Sequence, residues 1–404
     1  MEADLASPSA QRDPHALFRS LRRQGPVVWS DAHRAWLVVG HAEAAAAFRD
    51  PRLSSDRIPV FEAIARRRGP EFAVAVDLLR GWMVFRDPPA HTRLREPVRA
   101  AFTPRRVAAL EPVVADVVDE LLDGLETRGG GDVAELLARP LPAIVIAELL
   151  GVPRADRARF QAWSDGLARL VFAAGSAGVD ADAATGAARA FAGYFLELVE
   201  ERRAHPAGDL ISAIVAAQER TAPPDRLSPV ELAGACAMLL FAGHETTTTL
   251  LVNATRVLFE VPEERERLAS QPSLDATAVD ELVRFEGPAK VMVRRAVGRL
   301  DLGGASISPG DTVFVVIGAA NRDTAVFADP DRLDLARDPN PHLGFGWGLH
   351  HCLGAPLARL EARIALRRLL DRFPSLHPAD PDAPAHPWGG GTLGRAAGRV
   401  VVAV

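Results

Sequence analysis

A chain of 404 residues, 48% of them hydrophobic, is long enough to bury a large core without cross-links, and its formal charge of −5 argues against a general nucleic-acid binder. Two cysteines, Cys236 and Cys352, exclude a disulfide framework and a resident iron–sulfur cluster, and they suit a reducing cytoplasm. The N-terminus "MEADLASPSAQRDPHALF" has no apolar core for a signal peptide, and the longest apolar run, "LAGACAMLLFAG" (232–243), falls short of the roughly twenty residues of a membrane span. Cations are nearly all arginine, with Lys290 the single lysine.

In chain order, "PVVWS" (26–30) and "AWLVVG" (35–40) read as a hairpin around "DAHR". Apolar residues at steps of three and four predict helices over 112–126, 187–203 and 355–373. Short strands are expected in "DTVFVVIG" (311–318) and "RVVVAV" (399–404), and Pro/Gly-rich breaks fall near 204–209, 221–229 and 337–348. Ser228, Pro229 and Glu231 spell a helix start with a capping box, after which helical pattern runs to about Glu260. These signals predict a mainly α (α+β) fold: one large helical domain over 1–404, with a long central helix and small β-sheets.

Two places break the pattern. The long helix carries "AGHETTTT" (242–249) at its middle, a poor choice for a buried helix, and such conflicts are expected where function overrides stability. The second is "GFGWGLHHCLGAPLAR" (344–359), where Cys352 follows three glycines and two histidines and precedes Gly354. Three adjacent ligands rarely close on one zinc, there is no CxxC, and "HETTT" has Thr248 where a zinc protease has its second histidine. A haem with a single thiolate ligand fits better. The glycines admit a flat macrocycle to the backbone, and a helix starting at Ala355 aims its first amides at the sulfur.

Several motifs then coincide. Phe345 to Gly354 fits FxxGxxxCxG, Glu281 and Arg284 fit ExxR, "AGHET" (242–246) fits A-G-x-[DE]-T, and "HTRLR" (91–95) fits HxxxR. In order and spacing, from about residue 50 to 375, the chain resembles the cytochrome P450 family, in its soluble bacterial branch. The resemblance implies the cytochrome P450 fold and haem b (iron protoporphyrin IX) with Cys352 as axial iron ligand. It implies His91, Arg95, Arg294 and His350 as propionate partners, and Phe345, Gly354 and Ala242 beside the cofactor. Glu281 and Arg284 would be structural, holding the Cys loop. Thr246 would orient oxygen and Glu245 would relay protons, with Thr246 bonding back to the Ala242 carbonyl and Gly243 tolerating the distortion.

By the same resemblance the substrate pocket involves the 59–86 loop, the 170–182 turn, and Phe85, Leu239, His244, Ala289, Val291 and Met292. An apolar small molecule or a carrier-bound substrate is expected, in secondary-metabolite biosynthesis. The reaction implied is monooxygenation with O2, using NAD(P)H electrons passed through a separate ferredoxin and ferredoxin reductase. Arg99, Arg105, Arg106 and Arg359 are candidate ferredoxin contacts. Oxidative coupling, ring closure, desaturation and a non-catalytic haem sensor are the alternatives. A monomer in the cytoplasm, without nucleic acid or membrane, completes the expectation.

Overall fold

Helices and short strands are described, in a computed structural model, for residues 3–69, 72–156, 159, 160, 162–164, 166, 167, 171, 181–380, 388, 389, 391 and 393–404. They gather into two units: residues 1–54, 111–142 and 245–404 form one, and residues 55–110 and 143–244 the other.

The first unit holds every sheet among the described residues. The expected hairpin pairs Val27–Ser30 with Ala35–Val38, antiparallel. Ala35–Val38 then pairs parallel with Thr312–Val315, followed by Met292–Ala296 and Leu53–Ser54 at the far edge. The strand expected over 311–318 stops at Val315, because its partner ends: the Val38 carbonyl takes the Val316 amide at 2.9 Å, and Ile317–Ala320 turns helical. Val401–Ala403 lies between Gly130–Asp132 and His377–Pro378. Beneath the five-stranded sheet, Val38, Leu53, Val313 and Val315 pack with Ala44, Phe48 and Leu343.

Helices Glu111–Thr127 and Ala355–Arg372 pack against each other in this unit, pinned by Arg363–Glu111 at 3.0 Å and Arg372 Nε–Glu126 at 3.0 Å. A π-helical turn, Ala134–Ala138, was not legible in the sequence; the Thr248 hydroxyl donates to its Ala138 carbonyl at 3.0 Å.

The second unit is helical. Ile58–Arg68, Ala73–Arg80, Ala90–Ala101, Ala181–Ala204 and Leu210–Glu219 are its main elements. The long helix, Pro229–Glu260, has 32 residues and begins in this unit. Its capping box is closed both ways: Glu231 N donates to Ser228 Oγ (3.2 Å), and Ser228 N to Glu231 Oε2 (2.8 Å). Composition and length alone would let this helix cross a membrane, yet two thirds of its most apolar stretch is buried inside the protein.

Candidate functional site

The Cys loop is closed by its own backbone. Cys352 N donates to the Phe345 carbonyl (2.9 Å), Gly346 N to Leu343 O (2.9 Å) and His351 N to Gly348 O (3.1 Å). The glycines do not all serve one purpose. Gly346 and Gly348 sit at φ +70° and +69°, where a side chain is strained. Gly344 has another reason: a Cβ there would lie 2.3 Å from Val283 Cγ1. Gly354 alone of the four abuts the sulfur, its imagined Cβ being 3.9 Å from Cys352 Sγ.

The ExxR pair holds this loop from behind. Glu281 and Arg284 are fully buried and joined by two bonds of 2.7 and 2.8 Å. Arg284 also donates to the carbonyls of Asn321 (3.0 Å), Pro330 (2.8 Å) and Arg332 (3.1 Å). Glu281 accepts from the Asp334 amide, Arg337 and Asn340. Asn321 passes the network on, its Oδ1 accepting Leu343 N at 2.7 Å, one residue before Gly344. Every polar atom of a buried ion pair needs such partners, or the pair destabilises the fold.

A second brace was missed in the sequence. Asp280 accepts from His342 (3.1 Å) and Arg359 (2.7 Å). Although burial works the other way, these two bonds hold the Asp280 carboxyl below its ordinary value. Arg359 stacks 4.5 Å from the Phe345 ring centroid, so this candidate ferredoxin contact also supports the loop. Arg99 pairs with Glu96, and Arg106 donates to the Gly208 carbonyl.

Cys352 is exposed while Cys236 is buried, and burial pushes the Cys236 thiol up to about 12. Only Cys352 is therefore suited to bind a metal as thiolate. Arg294, on strand Met292–Ala296 of the same unit, is 8% exposed and lies over the Phe48 ring at 5.4 Å. His350 ends the 3-10 turn Gly348–His350, two residues before the thiol. One exposed thiol, a glycine against its sulfur and a nearly buried arginine fit an anionic haem held by one axial thiolate.

In the other unit, His91 and Arg95 share helix Ala90–Ala101, His91 fully buried and Arg95 half-buried. Burial, with the Arg95 charge beside it, lowers the His91 pKa to about 4, so its imidazole is neutral near pH 7. On the long helix, Leu239 and His244 are buried. From Leu232 to Val257, Ala242 and Thr246 are the exposed residues, four apart and so on one face, with Glu245 half-buried beside them. Thr249 on the same helix makes a back-bond, its hydroxyl donating to the Glu245 carbonyl at 3.0 Å. Gly243 also has a packing reason, since a Cβ there would press on Ile146 Cγ1 at 3.0 Å.

Phe85 is buried among aromatics, and Ala289 and Met292 are partly exposed. Val291 is buried beside Phe18, Leu37 and Val316. Most of the 170–182 turn lies outside the described residues.

The family profile described as Cytochrome P450 matches residues 61–393. "Cytochrome P450 monooxygenase PikC" of Streptomyces venezuelae is 42% identical over 376 residues, 90% of this chain and 85% of that protein. "Mycinamicin IV hydroxylase/epoxidase" of Micromonospora griseorubida is 40% identical over 362 residues, 89% of this chain and 87% of that protein. Among solved structures, P450BioI in complex with hexadec-9Z-enoic acid ligated acyl carrier protein superposes with a TM-score of 0.88 at 34% identity, covering 99% of this chain and 100% of that one. With a thiol loop, a buried ExxR brace and similarity along nearly its whole length, the chain belongs to the cytochrome P450 family and is a haem-thiolate monooxygenase.

Proposed function

We propose that this enzyme hydroxylates or epoxidises a small apolar molecule in secondary-metabolite biosynthesis, working in the cytoplasm as a single 1–404 domain with electrons from a separate ferredoxin and its reductase. One observation carries the reading. Between Leu232 and Val257 of the long helix, an alcohol and a small residue are the exposed ones, at Thr246 and Ala242, with half-buried Glu245 between them in sequence. Such a face leaves room for a small reactant and supplies a hydroxyl to orient it and an acid to move protons. The named activities of the two curated relatives support the reaction class. The carrier-bound acyl chain of the solved relative supports keeping carrier-bound substrates beside free ones.

Cys352 would hold the haem iron, and His91, Arg95, Arg294 and His350 would pair with the propionates. Phe345, Gly354 and Ala242 would border the ring. When bound, the haem supplies O2 activation and insertion of one oxygen atom into the substrate. Thr246 Oγ orients the reactant by hydrogen bonding, and Glu245 carries protons inward from solvent. Thr249, holding the Glu245 carbonyl, sets the backbone from which that acid projects. Leu239, Phe85, Ala289 and Met292, with His244, would limit what enters.

The test is Thr246→Ala. The variant should bind haem and substrate and still consume NAD(P)H through its partners, but hydrogen peroxide should rise and oxygenated product fall. Glu245→Gln should slow turnover as a whole. An unchanged product-to-peroxide ratio in Thr246→Ala would remove the oxygen-activation role and favour coupling, ring closure or desaturation. No NAD(P)H consumption with any redox partner would leave a haem sensor.

A further inference from the structure

Several arginines of the helical unit have an anion: Arg80 has Glu62 and Asp77, Arg93 has Glu231, Arg99 has Glu96 and Arg202 has Asp209. Arg57 differs. It is half-buried just before helix Ile58–Arg68, and among the described residues no carboxylate lies at ion-pair distance. Of its five N–H donors, one reaches the Val171 carbonyl, at 3.3 Å. Its sequence neighbour Asp56 is engaged elsewhere, accepting from the Ile58 amide at 2.9 Å and facing Arg86 Nε at 3.6 Å. Burial lowers the Arg57 pKa from its ordinary value, but a guanidinium keeps its charge in proteins. A partly desolvated cation without a counter-ion costs free energy, which an anionic ligand would recover.

The surroundings say what else the ligand contains. The guanidinium lies 5.4 Å from the Phe61 ring centroid and 5.2 Å from that of Phe85. Phe85 stacks on Trp82 at 5.7 Å, and Trp82 meets Phe241 at 5.0 Å. Phe241 immediately precedes Ala242. The row is anchored by a close helix crossing: a Cβ on Gly81 would lie 2.5 Å from the Glu231 carbonyl, and one on Gly234 2.4 Å from the Leu78 carbonyl. Within this row, Trp82 Nε1 is a buried donor without an acceptor among the described residues, a rare condition in folded proteins. A charged donor at one end of an aromatic row that leads to the exposed face of the long helix suits an apolar molecule with an anionic head. One guanidinium, with the adjacent Arg86 turned to Asp56, suits a planar monoanion better than a phosphate.

We propose that Arg57 recognises the substrate, and that the substrate is an apolar acid whose free carboxylate pairs with this guanidinium while its hydrocarbon part lies along Phe85 and Trp82 toward Ala242. The proposal rests on the reading of Phe85 and Ala242 as pocket residues. A carrier-bound acyl chain, its carboxyl consumed in the thioester, would not make this pair.

The test uses the holoenzyme with two matched series, dodecanoic acid with its methyl ester and naphthoic acid with its methyl ester. Each is followed by titration calorimetry and by the shift of the haem Soret band. At least one acid should bind wild type about ten-fold or more tightly than its ester, the worth of a charge-assisted hydrogen bond. Arg57→Gln should abolish that preference while leaving ester affinity within about two-fold, and Arg57→Lys should keep part of it. Arg99→Gln, a surface charge change, should alter neither. Equal binding of acid and ester by wild type, failure of both acids to bind at millimolar concentration, or a preference that survives Arg57→Gln would each overturn the proposal. The wild-type comparison needs no variant to fold. Arg57-dependent heat without a Soret shift would uphold the carboxylate site and overturn the pocket reading instead.

Discussion

Cys236 and Cys352 are the same side chain in opposite surroundings. Cys236 lies within the long helix, wholly buried, where burial pushes its thiol up to about 12; Cys352 lies exposed in a glycine loop at the head of an 18-residue helix. Burial disfavours the thiolate, and exposure beside helix amides favours it. The reduced CO complex of the wild type should therefore show the red-shifted Soret band of a thiolate haem. Cys352→Ala should lose that band and Cys236→Ala should keep it. Both residues were visible in the sequence, and the glycines set apart Cys352, the one that the structure exposes. The uses of Gly344, Gly346 and Gly348 were not visible, because they depend on backbone angles and on Val283, which lies 61 positions before Gly344 in the chain.

At the scale of elements, the contact between Gly344 and helix Asp275–Glu286 locks the Cys loop to the ExxR network. A methyl group there would overlap Val283, a β-branched side chain with little rotamer freedom. Gly344→Ala should destabilise the holoenzyme by about 1–3 kcal/mol, the usual cost of overpacking, measured by denaturant unfolding. Val283→Ala opens the space, so the double variant should recover part of that loss; strict additivity would show that the two positions do not press on each other. The ExxR spacing was legible from four residues. Asn321, Asn340 and the Asp280–His342–Arg359 brace were not, because each partner lies tens of residues away.

At the scale of the whole molecule, the single lysine is buried in a cluster around Glu286. That carboxylate is faced by His15 Nε2 at 2.8 Å, Lys290 at 3.0 Å, Arg395 at 3.3 Å and Arg322 at 3.7 Å. These groups come from both ends of the sequence, and they tie the N-terminal helix Pro14–Gln24 to the segment after the ExxR helix. Burial lowers His15 to about 4, whereas burial opposes but Lys290 and His15 prevail in holding Glu286 below its ordinary value. The sign follows. Between about 6.5 and 4 the unfolded chain protonates His15 and the folded chain does not, so stability is full above about 6.5 and falls with pH through that window. Below the ordinary carboxylate range Glu286 adds to the loss. The His15 contribution is of order 3 kcal/mol. His15→Gln keeps a donor for Glu286 but cannot titrate, so its melting temperature should fall less steeply than wild type between pH 6.5 and 4. Parallel slopes would remove His15 from the acid response.

By itself the sequence determined what is local: the capping box at Ser228 and Glu231, the long helix, the thiol loop, and the alcohol and acid of "AGHET". These features are set by neighbours within a few residues, where spacing alone brings groups together. Tertiary structure decided the rest. It paired Ala35–Val38 with Thr312–Val315 across more than half the chain, and it buried Val291 in the core. It left Ala242 and Thr246 as the exposed residues between Leu232 and Val257 of the long helix, and left Arg57 among aromatic rings without a described carboxylate partner. Burial and the presence or absence of a counter-charge are properties of what the distant chain delivers, and no local pattern records them.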